Sequence, residues 1–282
     1  MTKRRSRTNP QLAEDNEWLR RLDRISLAVD AWRKRAENPT SPEHGSSLAA
    51  ASMEGLSVEN PIWYSMCISS EHLDFAIDAM RATSTMYPTA YMTVARTAFV
   101  AAVNAVWMLA PSARQERRER ALKLRADDLR VQVTSFRDMK IPDGKPQEAR
   151  ADLLDQLRER QASLQSVAKS LSMTEDVTKI RFNQTKAIDW VAEHMHGVDD
   201  DLLIGATQSV WRSGSAAAHA QYHFGIMRVD RNETVRDAGG GSVVRLRGDL
   251  DSDVGPALAA AAMTLSEAFR LYDLRRVSHD RT

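Results

Sequence analysis

Residues 211–223 read Trp-Arg-Ser-Gly-Ser-Ala-Ala-Ala-His-Ala-Gln-Tyr-His. On a helix, Arg212 and His219 are seven residues apart, which returns them to within about 20° of one face. His223 follows one turn later and Ser215 lies between, so the four side chains span about 16 Å of a single stripe. A guanidinium holds a phosphate through paired hydrogen bonds, and an imidazole moves protons near neutral pH. The Ser, Gly and Ala residues between them let another helix approach closely. The competing reading is structural: Arg212 pairs with a carboxylate of a neighbouring helix and His219 bridges to a carbonyl. His219 and His223 also have the i, i+4 spacing of two metal ligands on one helix face, but no carboxylate on that helix completes a set, so no metal site is expected.

Three further cations invite the same chemistry. Arg96 sits in an apolar helix with Met92, Val100, Val103 and Trp107 on its side. An unpaired buried guanidinium is costly, so it must find an acid or join a polar pocket with Arg212 and His219. Residues 112–140 carry nine basic and five acidic side chains. Arg117 and Arg118 in that run are candidates to track a phosphate backbone; the competing reading is a solvated face with pairs such as Glu116–Arg120. The glycines at 239–241 are followed by neither a Lys-Ser/Thr pair nor a helix start, so they serve a turn and hold no phosphate. There is no Gly-x-Ser-x-Gly elbow, and Cys67 has no motif around it. These absences argue against a nucleotide-binding loop and the common hydrolases, and no cofactor is expected.

The elements that would position these side chains are mostly helical. Apolar residues at helical spacing predict helices over about 11–37 (Trp18, Leu22, Ile25, Val29, Trp32), 61–83, 88–110, 112–139, 147–171, 174–196, 199–224 and 253–277. Asn60-Pro61 and Pro88 mark starts, Ser112 with Gln115 forms a capping-box pattern, and Gly197 suits a helix end. Residues 226–247 alternate and carry a triple-glycine turn, which predicts a β-hairpin. The expectation is an all-α bundle of seven to eight helices with one hairpin between the last two. Residues 1–10 form a disordered basic tail and residues 11–282 a single helical domain. The six tryptophans fall at expected core positions.

The Arg212–His219 segment resembles the HEPN superfamily of all-helical nucleic-acid-associated domains, whose hallmark is an Arg followed after a few residues by His near a dimer interface. An apolar helix such as YMTVARTAFVAAVNAVWML followed by an Arg-rich helix is also similar in pattern to uncharacterised actinobacterial helical proteins. The resemblance covers roughly residues 88–130 and 205–278. It implies RNA as partner, Arg212 as phosphate ligand, His219 as acid or base, and a second copy completing the site. Where members of the superfamily cut RNA, the implied mechanism is metal-independent attack by a ribose 2′-hydroxyl on the neighbouring phosphate. It carries the expectation of an RNA-binding homodimer or endoribonuclease, of the kind used in phage defence or toxin systems. The alternative is a non-catalytic helical interaction or sensor module.

Length and charge set the outer bounds. The chain has 282 residues and a formal net charge of +1, enough to bury a large core without disulfides or structural metals. Near-neutral charge argues against broad electrostatic steering to nucleic acid, leaving local patches as the candidates. One cysteine fits a reducing compartment. Met1–Arg7 is basic but no apolar stretch follows it, and the 14-residue run 97–110 is short for a membrane span, so a cytoplasmic location and no membrane partner are expected.

Overall fold

The computed structural model describes residues 17–87, 89–236, 239 and 242–278. The expected basic tail, residues 11–16 of the expected first helix, and Pro88 lie outside them. The described residues are mostly helical: α1 (Glu17–Glu37), α2 (Glu59–Thr83), α3 (Ala90–Leu109), α4 (Arg114–Asp138), α5 (Lys145–Ser170), α6 (Gln184–His196), α7 (Asp201–Ala218), α8 (Tyr222–Ile226) and α9 (Gly255–Arg276). Val229–Arg236 (β1) and Ser242–Leu246 (β2) pair antiparallel, with a register irregularity between Asp230 and Val235. The chain divides into two compact units: Met1–Thr40, Ser65–Val103 and Ile188–Phe269 form one, and Ser41–Tyr64, Asn104–Ala187 and Arg270–Thr282 the other.

In the first unit, the core is built from Leu22 and Val29 of α1, Leu73 and Ile77 of α2, Phe99 of α3, Ile188 and Val191 of α6, and Leu258 and Leu265 of α9. Trp32 stacks on Phe269 at 5.6 Å. Helix α7 is opened by Asp200, whose carboxylate accepts from the Leu203 amide at 3.0 Å. A π-type turn at Leu250–Val254 leads into α9 and is capped by Asp249, which accepts from the amides of Asp251 and Ser252.

The second unit centres on the α4–α5 helical hairpin, where Leu122 and Leu129 meet a stripe of Leu154, Leu157 and Leu164. Its distinguishing feature is a group of arginines turned inward onto backbone carbonyls. Arg120 donates to the Trp107 carbonyl at 2.7 Å, and Arg275 donates to those of Leu109, Ala110 and Pro111. Arg117, only 2% exposed, donates to Pro111 and Ser112 at 2.8 Å and to Ser47 at 3.2 Å. Apart from Ser47, these are the carbonyls that a helix leaves without intrahelical donors at its C-terminal end, plus those of the loop that follows. Burial, with Arg275, Arg114 and Arg118 nearby, pushes the Arg117 guanidinium down to about 10, still charged at neutral pH.

Several local expectations are corrected. Helix α4 begins after Ala113 with no side-chain cap, and Gln115 instead donates to Glu119 and to the Leu171 carbonyl. Helix α2 begins at Glu59, with the Ser57 hydroxyl accepting from the Asn60 amide. Residues 174–183 are not helical: Asp176 turns back onto the Thr178 amide, the Gln165 side chain takes the Val177 amide, and Asn183 caps α6. All six tryptophans are half-buried rather than core residues. By length and composition α3 qualifies to cross a membrane, although 61% of that window is buried inside the protein.

Arg117→Ala removes a donor from the carbonyls of Pro111, Ser112 and Ser47, of which Pro111 keeps Arg275, and leaves a cavity in place of a buried side chain; it is expected to destabilise the fold by about 3 kcal/mol. A lowered urea midpoint with an unchanged slope checks this; Arg114→Ala, exposed on the same helix, is the control and should leave the midpoint in place.

Candidate functional site

The site is best built outward from Gly214. A Cβ at that position would sit 2.5 Å from the Cβ of Arg96 and 3.0 Å from the Met92 carbonyl oxygen, so α7 and α3 touch here only because the residue is glycine. The close approach lays the Arg96 guanidinium over the Trp211 ring, 4.5 Å from its centre. The Arg96 Nε is buried without a hydrogen-bond partner among the described residues, and burial pushes its guanidinium down from the usual arginine range. The buried cation of α3 is therefore held by an aromatic face rather than by an acid.

With Trp211 and Gly214 turned to α3, another side of α7 is left to face an open cleft of about 520 Å³. Ser209, Arg212, Ser213 and Ala216 form that wall. Arg212 is exposed and makes no hydrogen bond or ion pair with any described residue. The facing walls include His223 and Met227 around α8, Arg228 and Arg247 at the ends of the strands, and Asp249 and Asp253 in the π-type turn. The pairing of Val229 with Leu246 sets Arg228 beside Arg247, and the Arg247 amide donates to the Arg228 carbonyl at 2.8 Å.

These charges are not equivalent. The Arg228 side chain is 7% exposed, donates to Asp253 at 2.6 Å, and lies with its guanidinium 3.4 Å from the centre of the buried Phe224 ring. Its Nε has no partner. Burial pushes the Asp253 carboxyl up, against the pull of Arg228, while the same burial pushes Arg228 down against the opposing effect of Asp253. Burial also works to raise Asp249, but the amide hydrogen bonds from Ser252 and Asp251 outweigh it and hold the carboxyl below its usual range. Both carboxylates are thus committed to local donors, whereas Arg212 is not.

The single stripe expected over 212–223 is broken. Helix α7 ends at Ala218, and Ala220 adopts a left-handed conformation at φ 51°. The Gln221 amide donates to Ala216 and the Ala220 amide to Ala217, the two bonds of a Schellman motif, here with alanine in the position usually held by glycine. His219 becomes the exposed cap residue and lines no part of the cleft, whereas His223 is carried into it on α8. Ser215 is half-buried outside the cleft, whose serines are Ser209 and Ser213 of α7 and Ser252 of the π-type turn. Of the other sequence candidates, Arg96 is held by Trp211 and lines no part of the cleft. Arg117 and Arg118 belong to the other unit, where Arg118 donates to the carbonyls of Ala50 and Ala51 at 2.9 Å. Arg228, Arg247, Asp249 and Asp253 were missed; the arginines flanking the two strand ends were the available cue. Among the described residues, no three His, Cys, Asp or Glu side chains gather as a metal-binding group. No protein-family model, curated protein or solved structure matches the chain.

Ala220→Gly relieves the left-handed strain and is expected to stabilise the protein by about 1 kcal/mol. Gly214→Ala drives a methyl group into α3 and should cost about 1–3 kcal/mol. Thermal melts of the two variants are expected to move in opposite directions.

Proposed function

We propose that this chain binds RNA, with a backbone phosphate held in the cleft beside α7 and Arg212 as its main ligand. The observation that carries the reading is an exposed guanidinium, unpaired among the described residues, in an open cleft whose opposite wall holds Arg228, already paired with Asp253, and Arg247. Among the described residues nothing occupies the donor fork of Arg212, and Arg247 adds a second exposed cation across the cleft. The polymer is supplied by the resemblance of the Arg212–His219 segment to HEPN domains, and the phosphate chemistry by the cleft. Cleavage would extend this reading by one step. A histidine takes the proton of the ribose 2′-hydroxyl, the 2′-oxygen bonds to phosphorus, and the bond from phosphorus to the 5′-oxygen breaks as that oxygen is protonated. His223, which lines the cleft, would be the candidate for one of these proton transfers, and His219 is the residue indicated by the resemblance.

Binding is tested by fluorescence anisotropy with a labelled 20-nucleotide RNA in EDTA. Arg212→Ala is expected to weaken binding about tenfold and to lower the salt dependence by about one released counterion. Unchanged affinity would overturn the reading. Gel analysis of the same mixtures, with His219→Ala and His223→Ala, assigns any cleavage. Growth arrest on induced expression, relieved by Arg212→Ala at equal protein level, is the outcome expected of a toxin or phage-defence role.

A second reading, a helical interaction module that forms a homodimer, is favoured by a different surface. Val198 (70% exposed), Leu202 (81%), Leu203 and Met263 stand exposed, the last two lining an apolar groove with Met195 and Val210. Exposed apolar side chains gathered in this way mark an association surface. Light scattering should then show a dimer for the native chain and a monomer for Leu202→Glu; a monomeric native chain removes this reading.

A further inference from the structure

Helix α8 is a single turn, and two cavities meet along it. His223 and Met227, one turn apart, face the charged cleft. Tyr222 and Ile226, also one turn apart, face a neighbouring groove of about 410 Å³ whose other walls are mostly apolar, with Ala216, Ala217, Ala220, Phe224, Val229 and Leu246. Ala216, Phe224 and Val229 belong to the walls of both. The turn is therefore a ridge with arginines on one side and an apolar trough on the other. At its crest Tyr222 is 83% exposed, and its ring and hydroxyl have no partner among the described residues.

We propose that an unpaired RNA strand straddles this ridge, with its phosphate in the Arg212 cleft and a base stacked on Tyr222 over the apolar groove. The inference rests on the phosphate reading of the cleft and deepens it by naming the class of RNA. A polyanion without bases would use the arginines and leave the groove and the tyrosine idle. In a duplex the bases are already stacked and paired, and A-form geometry keeps their faces from protein side chains. Only an unpaired nucleotide offers a phosphate and a free aromatic face together, which is the combination of cationic cleft and exposed ring found here. Such stacking tolerates any base, so the ridge selects single strands without reading sequence.

The experiment compares three probes of equal length in the same buffer: oligouridylate, an abasic phosphodiester chain, and an RNA duplex. Native protein, Tyr222→Ala, Tyr222→Trp and Arg212→Ala are titrated against each by anisotropy. Tyr222 is so exposed that its replacement leaves the fold intact, which circular dichroism verifies. The expected result is that Tyr222→Ala weakens oligouridylate binding roughly fivefold or more while leaving the abasic chain unchanged. Tyr222→Trp should retain or tighten oligouridylate binding, the duplex should bind no better than the abasic chain, and Arg212→Ala should weaken all three. The stacking inference is overturned if Tyr222→Ala leaves oligouridylate unchanged or weakens the abasic chain equally. If Arg212→Ala changes nothing, or no probe binds, the phosphate reading itself fails and takes the inference with it.

Discussion

The C-terminal end of α3 poses the main polar problem of its unit. The helix is the most apolar long segment of the chain, and Pro111 follows two residues after its last turn, so its final carbonyls must find donors in a buried setting. Arg117, Arg120 and Arg275 supply those donors. Each brings positive charge to the negative end of the α3 dipole and several N–H groups in one plane, which a lysine would not do. Tying α3 to α4 and α9 by side chain rather than by turn also anchors the loop at Ser47, through Arg117. The cost is visible in Arg117, whose guanidinium is pushed down to about 10 by burial and by the neighbouring arginines.

Arginine meets a different solution in the other unit. Arg96 lies on the face of Trp211, and Arg35 lies on that of Phe269. Arg228 combines an aromatic face, Phe224, with a carboxylate, Asp253. In each case an aromatic face accommodates the cation, and the buried Nε atoms of Arg96 and Arg228 are left without a hydrogen-bond partner among the described residues. Against this background Arg212 stands out by having neither ring nor acid among the described residues. Its neighbour Trp211 serves Arg96 instead, and Gly214 brings α3 to that side of α7, so the geometry that settles one arginine is what turns the other toward solvent.

The helical architecture was legible because apolar spacing reports the buried face of each helix directly. What failed was information that depends on partners distant in sequence. A run of arginines in α4 reads as a solvated face, and nothing within the run says that α3 ends beside it with open carbonyls. The end of α7 was hidden for a local reason: Ala220 occupies a left-handed position where glycine or asparagine would have announced the stop. That one residue also shifted the phase of the candidate site. A continuous helix through His219 selects Ser215, whereas the observed face selects Ser209 and Ser213. Asp249, Asp253, Arg228 and Arg247 come together through the strand register and the π-type turn, neither of which a helix-based reading of residues 211–223 could supply.

The break after Ala218 also constrains the chemistry the cleft can support. Attack by a 2′-hydroxyl needs one group to accept a proton and another to donate one to the departing oxygen on the opposite side of phosphorus. His223 is the histidine that lines the cleft, while His219 is held at the end of α7 by its own amide bond to the Ser215 carbonyl. The arginines do not give up protons at working pH. Asp253 is tied to Arg228, and Asp249 is kept as a charged acceptor by two amides. On the proposed reading, the described residues of one cleft offer Arg212 and Arg247 to a phosphate but a single histidine as proton carrier. Metal-independent cleavage would then need a second proton carrier from outside this cleft, which binding alone would not.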